Sequence, residues 1–206
     1  RVAWQYRFPT FVLGDGYQAK MREAVTLFNP EDKGIDTGTS QPILGAPGVP
    51  YVDREPVHLR NTFNIEEELY EVLMRHIADY ENMAKEVVEY QQEMCNDADL
   101  IFVAHGIVSR SVKEATIRMR EQGKKVGYFR PITLRPFPKE QLQQAVTSAR
   151  KLLVVESAYG QLMSIVKENL YGMTVDVEGL LKPGVGVTAE EVVEASSHIL
   201  TGIGGA

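Results

Sequence analysis

Apolar residues recur along this chain with two periods, and the two alternate. Residues 100–104, 126–129 and 152–155 are short, unbroken apolar runs. Runs of this length, rich in β-branched and aromatic residues, read as strands buried on both faces. Between them the spacing lengthens to that of helices. Val108, Val112, Ala115, Ile117 and Met119 mark one helix, which Gly123 ends. Leu142, Ala145, Val146 and Ala149 mark a second, and Leu162, Met163, Val166 and Leu170 a third. Met173, Val175 and Val177 alternate as a half-exposed fourth strand, and a further strand is expected over 87–90. Thr188 and Glu191 form a capping box for a last helix through Val192, Ala195 and Ile199. Continuous apolar strands alternating with amphipathic helices predict an α/β fold of three layers, α/β/α, around a mostly parallel sheet.

Upstream the pattern changes twice. Ile65, Leu69, Val72, Leu73, His76, Ile77, Tyr80 and Met83 share one face of a predicted helix over 64–84, with Asn64 and Glu67 as a capping pair. His76 lies on that stripe and reads as a core histidine with one hydrogen-bond partner. Residues 29–60 have no apolar period. Pro30, Pro42, Pro47, Pro50 and Pro56 alternate there with glycines, which predicts an interdomain linker. Before it, 8–13 reads as a strand, Gly14-Asp15-Gly16 as a turn, and 17–27 as a helix with Met21, Ala24 and Val25 on one face. One strand and one helix cannot bury a core, so this piece should lean on another surface. The start, Arg1-Val2-Ala3-Trp4, has neither an initiator Met nor a signal-peptide pattern, and reads as a piece of a longer protein or a processed product.

Composition narrows the function. A net charge of −6 argues against nucleic acid or an anionic membrane as the main partner. No apolar stretch approaches the roughly 20 residues of a membrane span. Cys95 is the only cysteine, so no internal disulfide forms and a reducing cytoplasm fits. An iron–sulfur cluster needs about four thiolates, so this chain alone cannot hold one. His58, His76, His105 and His198 show no metal-ligand spacing. No metal site is therefore expected.

In open α/β sheets ligands gather beyond the carboxyl ends of the strands. Here those ends carry His105, Arg130 and Glu156. A histidine, an arginine and a carboxylate on one edge fit an acid/base site, and equally a structural ion pair with a capping histidine or a subunit contact. Tyr159 and Gly160, at a helix start, offer N–H groups to an anion. No nucleophile elbow and no glycine-rich dinucleotide fingerprint follows any strand, and Gly184-Val185-Gly186 lacks the third glycine and the downstream acidic residue of one. No catalytic or cofactor-binding residue is assigned.

The most distinctive string is Arg130-Pro131-Ile132-Thr133-Leu134-Arg135-Pro136-Phe137-Pro138. Its three prolines remove three backbone donors and fix φ three times, making a stiff strand-to-helix crossover, with Pro138 in the first turn of the helix. It resembles the RPITLWPFP signature of the alpha subunits of 2-oxoacid:ferredoxin oxidoreductases, with Arg135 in place of tryptophan. Other strings align in the same order. Gly14-Asp15-Gly16-Tyr17 resembles that family's SDGYLG element, and Asp97-Ala98-Asp99 with Ala104-His105-Gly106 its DAD…AYG segment. Gln122-Gly123-Lys124-Lys125-Val126-Gly127 is similar to EGIKVGL, and Val154-Val155-Glu156 with Gly160-Gln161 to VVEMNxGQ. The helical stretch before Asp97 is closest to the 2-oxoisovalerate (ketoisovalerate) type.

The resemblance implies a transketolase-like arrangement. Residues 1–28 would be the C-terminal remnant of the pyrimidine-binding domain, 29–60 the interdomain linker, and 61–206 a transketolase C-terminal-like domain. The parent would be a thiamine-diphosphate-dependent oxidoreductase that oxidatively decarboxylates a 2-oxoacid to an acyl-CoA and reduces ferredoxin. Thiamine diphosphate, Mg and iron–sulfur clusters would belong to the complete cytoplasmic enzyme and none to this chain, which alone would be inactive. Its partners would be beta and other subunits, ferredoxin through the complete enzyme, and in a homodimer a second copy. Another transketolase-like thiamine enzyme, or a non-catalytic α/β binding module, are the alternatives.

Overall fold

Among the described residues before Glu66, helical structure is limited to one five-residue helix and two short 3-10 turns. In a computed structural model of the chain, residues 2–35 and 60–203 are described; they divide into two units, 1–86 and 87–206. The first unit holds helix α1 (Val2–Tyr6), single 3-10 turns at Gln18–Lys20 and Pro30–Lys33, and helix α2 (Glu66–Val87). The strand expected over 8–13 and the helix expected over 17–27 are not formed. A strand without a neighbour has no ladder to join, and Phe11, Val12 and Leu13 stand largely in solvent. Asp15 accepts N–H bonds from Tyr17 at 2.9 Å and Gln18 at 3.0 Å, which closes a local turn in place of a continuing helix.

The α2 helix starts two residues later than Asn64 leads one to expect, and its apolar stripe is not a buried seam. Among the described residues of the first unit only Met83 is buried; Ile65, Leu73 and Ile77 are exposed, and so is His76, which is no core histidine. Among the described residues of that unit, no second element covers the whole stripe. Phe8 meets Tyr80 edge-to-face at 5.6 Å, and the Tyr6 hydroxyl donates to Glu86. Of the expected linker, 36–59 lie outside the described residues.

The second unit is built from strands β1 (Tyr90–Glu93), β2 (Leu100–Val103), β3 (Val126–Pro131), β4 (Lys151–Glu156) and β5 (Asp176–Leu181). Interleaved are helices α3 (Val108–Glu121), α4 (Lys139–Ala145), α5 (Gln161–Asn169) and α6 (Ala189–Ile203). The sheet order is β1-β3-β2-β4-β5, with every pairing parallel except β1 against β3. The expected extra strand thus sits at 90–93 rather than 87–90, and the fourth parallel strand starts at Asp176 rather than at Met173. β1 is almost wholly polar, and Asp176 and Glu178 interrupt the apolar residues of β5, so hydropathy located both strands poorly.

Alternation along the strands divides the core between the two faces. Leu100 and Phe102 point to α3 and α6, with Val112, Met119 and Val192, while Ile101 and Val103 point to the other face with Leu142, Leu162 and Val166. Each such fully buried side chain contributes about 1.5–3 kcal/mol over its exposed state. Gly123, at φ +76°, ends α3 in a Schellman motif, its N–H bonding Arg120 O at 2.9 Å and the Lys124 N–H bonding Met119 O at 3.0 Å. Thr188 and Glu191 cap α6 reciprocally at 2.9 and 3.3 Å.

Arg120 locks three segments together. Its guanidinium reaches both oxygens of Asp97 at 2.7 and 2.9 Å, Met94 O at 2.6 Å and Val126 O at 2.6 Å. The hydrogen bond from Arg120 holds the Asp97 carboxyl below the usual aspartate range. Because the folded value is depressed, this contribution is present above the unfolded aspartate value and is lost as pH falls through the folded one. Asp97→Asn should therefore flatten the acid limb of the stability curve below about pH 4, measured as urea midpoint against pH; an unchanged limb would remove Asp97 from the account.

Candidate functional site

The sheet sets the site. Right-handed crossovers send β2 into α3 on one face and β4 into α5 on the other, so the carboxyl ends of these adjacent strands bracket a topological switch point. Val103 is in register with Phe129 and Val154, which puts the next residues of the three strands on one edge. His105 follows β2 there, Arg130 stands one residue before the end of β3 beside it, and Glu156 ends β4 on the far side. The three residues chosen from the sequence share that edge, and the charges of Glu156 and Arg130 both act on His105.

Their environments differ. Glu156 is buried, and its carboxylate accepts the Leu162 N–H at 2.8 Å and the Met163 N–H at 3.3 Å. These are free amides of the first turn of α5, whose cap residue Gly160 (φ +96°) brings no side chain. A carboxylate from the strand end thus does the work of an N-cap, favoured by the helix dipole. The Tyr159 N–H is also taken, by Gln161 Oε1 at 2.8 Å, so the anion reading of this helix start gives way to an internal carboxylate.

His105 is half-buried. Burial pushes its pKa below the ordinary histidine value, Arg130 pushes the same way, and Glu156 pulls it back. The ring is therefore neutral at pH 7. Arg130 donates from Nη1 to Gln91 Oε1 on β1 at 3.3 Å, while its Nε is buried with no hydrogen-bond partner, the one such side-chain atom among the described residues. Gln91 carried no sequence signal; its position opposite Arg130 follows from the antiparallel β1 pairing.

The proline-rich crossover acts as scaffold. The Ile132 and Thr133 N–H groups bond Glu89 O at 3.0 and 3.1 Å, and Thr133 Oγ1 accepts the Glu89 N–H at 3.1 Å. Leu134 and Phe137 pack on the core, Arg135 is exposed, and Pro138 stands at the cap position of α4, one residue before its first turn. Cys95 is buried, its thiol directed at Tyr128 O and Glu93 O and its pKa raised by burial, the state of an unreactive cysteine. Among the described residues no group of three or more His, Cys, Asp or Glu could hold a metal ion, and no helix is long and apolar enough to cross a membrane.

Comparison with known proteins follows this geometry. Residues 98–192 match the pyruvate:ferredoxin oxidoreductase core domain II. The 2-oxoglutarate synthase subunit KorA of Methanothermobacter marburgensis is 32 % identical, over 89 % of this chain and 54 % of that protein. The ketoisovalerate oxidoreductase subunit VorB of the same organism is 31 % identical, over 81 % of this chain and 46 % of the relative. The chain spans about half the length of the curated relatives it matches. Among solved structures, the 2-oxoglutarate:ferredoxin oxidoreductase of Magnetococcus marinus superposes on 75 % of this chain and 28 % of its own, with a TM-score of 0.57 at 19 % identity, a likeness of fold.

Proposed function

Because this chain belongs with the alpha-type subunits of the 2-oxoacid:ferredoxin oxidoreductases, we propose that it serves as the C-terminal part of such a subunit, assembling and supporting the enzyme. The observation that carries this is the core domain II match over 98–192, the region that contains the parallel sheet and its switch point. The parent reaction in this reading is oxidative decarboxylation of a 2-oxoacid to an acyl-CoA, with electrons passed to ferredoxin. The 2-oxoisovalerate type stays the first choice of substrate, beside 2-oxoglutarate, since relatives of both names match.

The residues present do not fit the redox cofactors. The single Cys95 is buried against carbonyls, and the carboxylate of Glu156 is spent on α5. Thiamine diphosphate, Mg and iron–sulfur clusters are therefore assigned to other parts of the complete enzyme, and no step is routed through these side chains. Residues 1–28, 29–60 and 61–206 act as domain remnant, linker and C-terminal domain. With the contact boundary at Glu86, 61–86 form the lead-in to a sheet domain that begins at Val87. Apolar side chains at 11–13, 27–28 and along α2 stand exposed, as expected of surfaces that meet a beta subunit or a second copy.

The test is co-expression of the complete subunit, with and without residues 29–206, beside its beta subunit in the cytoplasm. The intact pair should reduce a viologen dye only with a 2-oxoacid and CoA. The truncated subunit should lose both co-purification and turnover, and the present chain alone should show no turnover. A truncated pair that assembles and turns over normally would end this reading.

A further inference from the structure

We propose that the edge formed by His105, Arg130 and Gln91 is a binding site for a small oxyanion, a carboxylate or a phosphate, separate from the assembly role above. The first support is an unmet donor. Arg130 Nε is buried without an acceptor, and the Nη1 of the same guanidinium donates only to a neutral amide oxygen, Gln91 Oε1, at 3.3 Å. Leaving a buried charged donor unpaired is costly, and native proteins resolve such orphans with an internal partner, a water or an ion. No acceptor meets that N–H among the described residues. The carboxylate that ends β4, Glu156, gives both oxygens to the α5 amides. Glu93 on β1 is paired with Lys113 at 2.5 Å.

The second support is position. The donor lies at the carboxyl edge, beside the switch point where parallel sheets leave a crevice. The residue after His105 is Gly106, at φ +59°, and a Cβ built there would meet nothing within 4 Å, so the space beside this residue is open. The charges facing the site sum in favour of an anion. Arg130 is unpaired, Lys113 and Glu93 cancel, and Glu156 is offset by the α5 N-terminus. His105, neutral at pH 7, brings a ring N–H without requiring a second charge. An arginine fork with a ring N–H suits a planar or tetrahedral oxyanion better than a cation or an apolar group.

The experiment is a titration of the whole chain at pH 7 and constant ionic strength, with inorganic phosphate in one arm and malonate in the other. The Arg130 Nε–H and His105 ring resonances are followed by NMR. Expected is a saturable shift of both signals in at least one arm, and the arm that saturates identifies the source as phosphate or carboxylate. Arg130→Gln should abolish it and His105→Gln should weaken it severalfold, while Arg118→Gln, on the remote face of α3, should leave it unchanged. Circular dichroism of each variant guards against misfolding. Linear shifts in both arms, or an equal response in Arg130→Gln, would mean that only water or bulk salt meets Arg130, and would overturn the proposal.

Discussion

Gly127→Ala should destabilise the sheet domain, although alanine is ordinarily the better strand residue. Replacing a strand glycine usually gains about 0.5–1 kcal/mol in backbone entropy. At Gly127 a Cβ would stand 2.9 Å from Met94 O, 3.0 Å from Cys95 Cα and 3.2 Å from Ala98 Cβ. The first two are backbone atoms, and that backbone is held. Arg120 donates to Met94 O at 2.6 Å, and Ser148 Oγ donates to Cys95 O at 3.0 Å. Met94 already sits at φ +55°, a conformation that leaves little room for adjustment. Overpacking of this kind costs about 1–3 kcal/mol and outweighs the entropy gain. The measurement is the urea midpoint at constant m-value. Gly127→Val should lower it further than Gly127→Ala, and a raised midpoint for alanine would show that the 94–98 turn yields freely.

Glu156→Ala should be at least as damaging, for a different reason. It strands two α5 amides in a buried place, at about 1–3 kcal/mol for each unsatisfied donor, and leaves a void at the strand end. Glu156→Gln keeps one acceptor but turns an amide N–H₂ toward a donor, so its loss should be smaller than that of alanine. A second readout separates the electrostatics from the packing. Glu156 raises the His105 pKa, so either substitution should lower it further, seen by NMR titration of the His105 ring. If the alanine variant is as stable as the parent, α5 is capped by something other than Glu156.

The buried strands were legible in the sequence because burial on both faces writes itself as an uninterrupted apolar run. Residues 100–103, 126–129 and 152–155 fall inside β2, β3 and β4. Caps were legible where they are local, as at Thr188 with Glu191, because both partners lie within one turn. The cap of α5 was not, since Glu156 approaches from the preceding strand and only the fold brings it there. At the other extreme, 8–27 had the composition of a strand and helix without a surface to form against. Apolar periodicity reports what a segment can bury, and not whether a partner is present to bury it. The same limit governs α2, whose stripe is intact in the sequence and open to solvent in the structure. For the site, strand ends alone placed His105, Arg130 and Glu156 on one edge. That Glu156 is spent and Arg130 is not required the atoms.

The antiparallel strand β1 bears on how this domain behaves at high concentration. A parallel sheet exposes a row of unpaired amides and carbonyls at its border, a template on which identical chains can stack without limit. On the β3 side that border is closed by a strand only four residues long, Tyr90-Gln91-Gln92-Glu93, running against the grain of the sheet. Its shortness, and the charged pair of Glu93 with Lys113, make it a poor seed for fibrous growth. The few residues between α2 and β2 are thus a guard against self-templated aggregation, built from a strand that the apolar pattern placed three residues too early.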